Sequence, residues 1–134
     1  MSESVGVIRS ANAAFNAGDY DELMSLFDPE IEFVDLLPLP DVAQAAHGTD
    51  AVRAVLEAWT HGFAGFQADV EEYVDLGEFV VCVTRWRFVA RDEGIEMQWR
   101  GAEAYKLREG KIVWAQSGFP NRAAAVDAVD RARS

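Results

Sequence analysis

The chain has 134 residues, 50% of them hydrophobic, and a formal net charge of -11 at pH 7. This length buries one hydrophobic core and not two, so we expect a single domain over residues 1–134. So negative a surface repels phosphate backbones and anionic lipids, which argues against nucleic acid or a membrane surface as a partner. No apolar run approaches the ~20 residues of a membrane span, and the N-terminus shows no secretory signal. We therefore expect a cytoplasmic protein whose one cysteine, Cys82, is a buried free thiol.

Three segments in the first half of the chain are predicted helices. Apolar residues at helical spacing predict one from about residue 3 to residue 16. Asp19 is placed to cap a short second helix that Pro29 ends. Thr49 is the predicted cap of a third helix, whose apolar stripe ends at Trp59.

The rest of the chain has mainly the periodicity of strands. Ile31, Phe33 and Asp35 share one face of a first strand, and the stretch LLPLPDV after it is predicted to be a loop. From Phe66 onward, the turns DLGE, DEG and REG join four more strands, and a last helix opens with Pro120. This order predicts an α+β fold, a cone-shaped curved antiparallel sheet with three to four helices packed on its concave face.

The opposite, convex face of such a sheet is the predicted contact with a second subunit, provided that it is apolar enough. We therefore expect a homodimer through this face. Arg85 and Arg87 alternate with apolar residues and are expected to face outward. The sequence leaves open whether they face this interface or turn inward to pair with a buried acid.

The strand predicted from Ile95 to Leu107 is the most informative segment. Every second side chain points the same way, and we predict that this set faces inward: Ile95, Met97, Trp99, Gly101, Glu103, Tyr105 and Leu107. An ionised carboxylate at Glu103 is costly among apolar neighbours unless it is paired or hydrogen-bonded. Burial would raise its pKa, which suits a proton donor or an acid that anchors a ligand. The alternatives are an interior partner for Glu103 or a bulge that changes the face.

A second acid and a histidine are candidates for the rim of the same pocket. Asp35 keeps the inward parity of its strand, and a partly hydrated carboxylate there can act as a general base; the alternative is a strand-end Asp in solvent. His47, in the stretch QAAHGTD, is a candidate for the pocket mouth, although a solvated loop histidine is the simpler interpretation.

The expected pocket wall is apolar and largely aromatic, although large aromatic side chains fill cores as often as they bind ligands. A glycine-rich phosphate loop, a serine nucleophile elbow and a paired-histidine motif are all absent from the sequence, so we expect no cofactor and no metal. The residues predicted to line the pocket are Ala11, Phe15, Phe33, Trp59, Trp86, Met97, Trp99 and Tyr105.

Three stretches together resemble the SnoaL-like polyketide cyclase family of the nuclear-transport-factor-2-like superfamily. They are AFNAGDYDELMSLFDPEIEFVD, the helix HGTDAVRAVLEAW and the hairpin GAEAYKLREGKIVWA, and the resemblance covers nearly the whole chain. It implies a cone-shaped α+β barrel, commonly a homodimer, with a deep pocket. Relatives include steroid isomerases, polyketide cyclases, epoxide hydrolases, dehydratases and members with no assigned chemistry, so the resemblance says little about the reaction.

The resemblance also implies roles for single residues. In the related ketosteroid isomerases an Asp base follows the first strand, where Asp35 stands here, and a protonated acid lies on the strand of Glu103. Polyketide cyclases also place their catalytic acid on that strand. The isomerase tyrosine of the oxyanion hole would fall on Ala11, which has no hydroxyl, and this argues against a steroid isomerase. The epoxide hydrolases match less well, since they would need an acid near Gln116.

The sequence supports three hypotheses about function. In the first two the partner is a small apolar molecule, and in the third it is a second subunit. The leading hypothesis is a SnoaL-like pocket protein that acts, if it is an enzyme, as a cofactor-independent isomerase or cyclase on an apolar carbonyl compound. Asp35 would then be the base, and Glu103 the acid that stabilises the enolate. The second hypothesis is a non-catalytic module that binds a hydrophobic ligand, and the third is a dimerisation domain whose pocket is only core.

Overall fold

The computed structural model describes residues 2–36 and 44–133, which form four helices and a curved six-stranded sheet. The predicted loop LLPLPDV lies outside the described residues except for Leu36. None of the described helices is long and apolar enough to cross a membrane. In chain order the elements are α1 (Glu3–Ala17), α2 (Tyr20–Ser25), β1 (Phe27–Asp35), β2 (Ala45–His47), α3 (Thr49–Gly62), β3 (Phe63–Leu76), β4 (Phe79–Ala90), β5 (Glu96–Arg108), β6 (Lys111–Phe119) and α4 (Arg122–Arg133).

The helix ends follow local signals, with two exceptions. The predicted end of the second helix at Pro29 is wrong, because α2 ends at Ser25 and Pro29 lies within β1. Gly18 ends α1 at a φ of 71°, a left-handed conformation that a residue without Cβ adopts without strain. The predicted cap at Asp19 is confirmed, because its side chain accepts a hydrogen bond from the Glu22 N–H at 3.1 Å. The predicted cap at Thr49 is wrong, since Thr49 is the first residue of α3 and Gly48 precedes it without a side-chain hydrogen bond.

The sheet is mixed and open, with the strand order β2-β1-β6-β5-β4-β3. Strands β3 to β6 form an antiparallel meander, whereas β1 pairs with β6 in parallel. The α+β class is confirmed, but the prediction of a purely antiparallel sheet is wrong at this one pair. A parallel pair needs a long connection, such as the chain between β1 and β6. The alternation of residues within a strand does not show which distant strand becomes its neighbour.

Helices cover both faces of the sheet. Helices α1 and α3 pack on the inner face, whose core includes Val80 and Cys82. Helix α4 packs on the outer face, whose core includes Val81 and Ala104. Because successive side chains of a strand point to opposite faces, Val80 and Val81 belong to different cores. The prediction that helices lie on the concave face therefore does not extend to α4.

The part of the outer face that α4 leaves uncovered is charged. Arg85 and Arg87 are on this face, as predicted, and both pair with Asp69, at 3.7 and 2.8 Å. Arg100 and Glu71 form a further pair at 2.9 Å. The homodimer was predicted on the condition that the convex face is apolar, and this charged surface does not meet that condition. The homodimer itself remains a prediction.

A β-bulge changes the direction of the side chains along β3. The register with β4 shifts between Val70 and Glu72. Val70 consequently packs in the inner core, whereas Val74 and Leu76 pack in the outer core. Strict alternation along FQADVEEYVDL would predict that these three apolar residues share one face, and this prediction is wrong because an extra residue inverts the parity. Bulges also bend the strand that carries them, which contributes to the curvature of the sheet.

A glycine in β5 lets this strand approach β6 and leaves room for an indole. A Cβ at Gly101 would collide with the Trp99 side chain and stand 2.7 Å from the Phe119 carbonyl oxygen. We expect Gly101→Ala to lower the free energy of unfolding by about 1–3 kcal/mol, because backbone does not move away as a flexible side chain does. Urea denaturation measures this difference.

The matched control is Gly6→Ala in α1, where an added Cβ meets no atom within 4 Å. Alanine is the better helix former, so this variant should gain about 0.5–1 kcal/mol. A Gly101→Ala protein as stable as the parent would contradict the close contact between β5 and β6.

Candidate functional site

Two adjoining cavities lie between the inner face of the sheet and helices α1 and α3. The inner cavity measures about 80 Å³ and the outer about 90 Å³, taken as the space that the centre of a water molecule can occupy. Each therefore has room for several waters or for part of an organic molecule. Trp59, Trp86 and Ser117 line both cavities and stand where the two adjoin.

Glu103 is the acid of the inner cavity. It lies on the inner face of β5, as strand parity predicts, and is only 2% exposed. The Thr84 hydroxyl donates a hydrogen bond to its Oε1 at 2.6 Å, and the Trp86 indole N–H donates one to its Oε2 at 3.1 Å. Both donors come from alternate residues of the neighbouring strand β4. The interior partners considered as the alternative are thus present, and the carboxyl group still lines the cavity.

Burial raises the pKa of Glu103 to about 7. The hydrogen bonds from Thr84 and Trp86 stabilise the ionised form and lower this pKa, but they do not offset the loss of hydration. The nearby charge of Asp35 raises it further. A carboxyl group with such a pKa is divided between its acid and its ionised form at neutral pH, which is the state that proton transfer requires.

Asp35 is the acid of the outer cavity. It ends β1 beside Ser117 of β6, and its backbone N–H donates a hydrogen bond to the Gln44 carbonyl at 2.7 Å. The expectation that this carboxyl group is partly hydrated is wrong, because Asp35 is only 4% exposed. The alternative of a strand-end Asp in solvent is excluded by the same burial.

Two further titratable groups, Cys82 and Tyr105, line the inner cavity. Burial raises the pKa of the Cys82 thiol and of the Tyr105 phenol well above their usual values, and the charge of Glu103 raises both further. Both groups therefore keep their protons at neutral pH. Tyr105 is thus a phenol, not a phenolate, and can donate a hydrogen bond within the cavity.

Seven of the eight residues predicted to line the pocket do line one or both of the cavities. Ala11, Phe15, Phe33 and Tyr105 line the inner cavity. Trp99 lines the outer cavity, and Trp59 and Trp86 line both. The rings meet at ordinary aromatic distances, for example 5.7 Å between the centroids of Phe15 and Trp86 and 6.3 Å between those of Trp59 and Trp86.

Two predicted site residues lie outside both cavities. Met97 is 42% exposed and lies at the solvent-exposed end of β5, near Ile95, which is 54% exposed. His47 lies in the edge strand β2, where its side chain is 58% exposed and its Nε2 is 2.9 Å from a carboxylate oxygen of Glu30. An edge strand leaves one side of its backbone unpaired and its side chains near solvent, so His47 pairs at the surface and does not reach the pocket mouth.

Sequence reasoning missed several residues of the site. Thr84 and Ser117 are polar residues on faces that are otherwise apolar, and that pattern was the available signal. Phe63, Phe66 and Phe88 line the outer cavity. Their placement depends on the register between β3 and β4, which shifts between Ala64 and Gln67 and is not visible in the sequence. Among the described residues, no cluster of three or more His, Cys, Asp or Glu is arranged to hold a metal ion.

Solved structures share this fold of a curved sheet with helices packed on it. An NTF2-like protein of unknown function from Burkholderia pseudomallei superposes with a TM-score of 0.79 at 18% identity, covering 97% of each chain. TerC, co-crystallised with polyporic acid, gives 0.78 at 18% identity, over 97% of this chain and 99% of TerC. IdmH, a proposed polyketide cyclase from Streptomyces antibioticus, gives 0.74 at 18% identity, over 86% and 90%. The chain therefore has an NTF2-like fold.

The sequence itself places the chain in one family within this fold. Residues 8–115 match the SnoaL-like domain, and the chain belongs to that family. No curated protein matches the sequence significantly. The matched range includes both Asp35 and Glu103.

The raised pKa of Glu103 makes the stability of the protein depend on pH. Below about pH 4.5 the group is protonated in the folded and unfolded states alike; between 4.5 and about 7 only the folded state keeps the proton. The stability that Glu103 contributes to the folded state is therefore fully present at low pH and is lost as the pH rises from 4.5 to about 7. Since Glu103→Gln does not titrate, the free energy of unfolding of the parent minus that of the variant should fall by about 3 kcal/mol from pH 4.5 to 7.

Urea denaturation of both proteins across this pH range measures the difference, and carbon-13 NMR titration of the carboxyl group locates the midpoint. A difference that is flat with pH, together with a carboxyl midpoint near 4.5, would show that burial does not control this group.

Proposed function

We propose that this SnoaL-like protein binds an apolar carbonyl compound and transfers a proton on it by carboxyl chemistry, without a cofactor. The observation that carries the proposal is the environment of Glu103. This acid has a pKa of about 7, lies in an aromatic cavity, and is held on both oxygens by donors from one neighbouring strand. A structural acid of the core needs no cavity beside it.

In the proposed reaction, Glu103 in its protonated form donates its hydrogen bond to the carbonyl oxygen of the substrate. Because Thr84 and Trp86 donate to the two carboxyl oxygens, the orientation of the group is fixed before the substrate binds. Asp35, from the outer cavity, removes a proton from the carbon beside the carbonyl. As the enolate forms, the negative charge moves from the base towards the acid, and the apolar aromatic walls strengthen its interaction with both groups.

The inner cavity contains a hydrogen-bond donor besides Glu103. Ala11 lies in its wall and carries no hydroxyl, so the oxyanion tyrosine of a steroid isomerase has no counterpart there. Tyr105 lines the same cavity with its phenol protonated. We propose that Tyr105, not residue 11, supplies the second donor to the substrate oxygen, which favours a cyclase or isomerase other than a steroid isomerase.

The structural relatives support the same class of ligand. IdmH is a proposed polyketide cyclase, and TerC was crystallised with polyporic acid. At 18% identity these proteins share the fold, and the chemistry proposed here rests on the cavities of this chain.

A non-catalytic ligand-binding protein is the second candidate, and the composition of the cavity walls favours it. Apart from the two acids, few polar groups line these cavities, and Ala11 lacks the hydroxyl that isomerases use.

The homodimer through the convex face and the cytoplasmic location also remain proposals. The charged pairs of the outer face make a polar interface the one to test, by light scattering at micromolar concentration.

Proton transfer is tested by the uptake of deuterium next to a carbonyl group. With 1-indanone and 2-tetralone in deuterated buffer, we expect the parent protein to speed exchange at the α-carbon, followed by NMR. Asp35→Asn should lower this rate at least about 100-fold, because the general base is removed, and Glu103→Gln should lower it about tenfold or more.

The matched control is Glu96→Gln, the same substitution at an exposed position of the same strand, which should leave the exchange rate unchanged. Ketones that bind and are recovered without deuterium would favour the non-catalytic candidate. Exchange that continues unchanged in both carboxyl variants would show that other groups move the proton.

A further inference from the structure

Two buried hydrogen-bond donors at the junction of the cavities have no protein partner. Among the described residues, the indole nitrogen Nε1 of Trp59 and the hydroxyl Oγ of Ser117 are buried without a hydrogen bond. Trp59 is only 7% exposed, so more than nine-tenths of it is removed from water. Buried donors are rarely left unpaired in folded proteins, because an unmade hydrogen bond costs stability.

The two donors come from different elements that line the same two cavities. Trp59 comes from α3 and Ser117 from β6, and each lines both the inner and the outer cavity. Ser117 is also the register partner of Asp35 in the parallel pair of β1 and β6. The Trp86 indole, which lines the same junction, is different, since its N–H is already used by Glu103.

We propose that Trp59 and Ser117 form a second polar subsite, which binds a carbonyl oxygen of the ligand through the indole N–H and the hydroxyl. The proposal rests on the cavities being the ligand site of the proposed function, but not on the proton transfer. The substrate oxygen at Glu103 lies in the inner cavity, whereas this oxygen lies at the junction. The ligand class is thereby narrowed to apolar ring compounds that carry at least two oxygen functions.

The aromatic walls favour a flat ligand that spans the junction. In the outer cavity the rings of Phe66 and Phe88 stack, with their centroids 4.9 Å apart and an angle of 20° between their planes. Trp59 stands edge-on to Trp86 at the junction. In the proposed complex, a ring system lies along these walls and an oxygen on its edge accepts from the two donors.

The subsite is tested with two probes of the same shape, 9-fluorenone and fluorene, which differ by one carbonyl oxygen. Isothermal titration calorimetry gives the affinity of each variant for both probes. We expect the parent protein to bind fluorenone about tenfold more tightly than fluorene, and Ser117→Ala or Trp59→Phe to remove most of this preference. Ser117→Thr, which keeps the hydroxyl, should retain it.

Fluorene is the control for folding and for the shape of the cavity. Ser117→Ala should change its affinity less than about twofold, and any variant that still binds it retains the cavity. A parent protein without preference for fluorenone, or variants that weaken both probes equally, would overturn the proposal.

Glu103→Gln separates this proposal from the proton transfer. A fluorenone preference that survives Glu103→Gln but is lost in Ser117→Ala supports the subsite, even if no deuterium exchange is ever found. A preference that is lost in Glu103→Gln and survives both Trp59→Phe and Ser117→Ala places the carbonyl at the acid. That result overturns the subsite and leaves the proton transfer standing.

Discussion

The site depends on the burial of one carboxyl group among aromatic rings. Glu103 is removed from water on the inner face of the sheet, and this loss of hydration outweighs the two hydrogen bonds that stabilise its charge. The same hydrogen bonds, from Thr84 and Trp86, stop the group from turning away from the cavity. The fold thus keeps an acid that is both oriented and close to losing its proton at neutral pH.

The strands around Glu103 are arranged to hold this environment. Strands β4 and β5 pair without a register shift from Phe79 to Val89, so the donors at 84 and 86 stay on the face of residue 103. Gly101 leaves the space in which the Trp99 indole lies, and this indole lines the outer cavity. A regular hairpin therefore supplies the acid, its two donors and one cavity wall.

Strand parity predicted this hairpin correctly because its pairing is regular. The inward side of Glu103, the inward Trp86 and the outward arginines all follow from an alternation of two that nothing interrupts. The α+β class was predictable for the same reason. Elements with a regular local period reveal their buried face in the sequence.

The failures arise where non-local contacts decide. The bulge at Val70 inverts the parity of β3, and the parallel pairing of β1 with β6 joins strands far apart in the chain. His47 is exposed on a strand at the edge of the sheet, and Met97 lies at the exposed end of β5. A stretch of about ten residues does not reveal these features, because each depends on which distant element lies alongside.

Asp35 also affects the pKa of Glu103, as a smaller effect beside burial. The charge of Asp35 raises the pKa of Glu103, so the proton on the acid is held more strongly while the base is ionised. A buried base and a buried acid in different surroundings can hold different protonation states at the same pH, which the proposed proton transfer requires. If a substrate proton reaches Asp35 in the proposed reaction, that charge is neutralised and the pKa of Glu103 falls, which makes Glu103 a stronger hydrogen-bond donor to the enolate oxygen. A site that only stores a ligand does not need a second buried acid, and the two buried acids therefore support the proposed chemistry over storage.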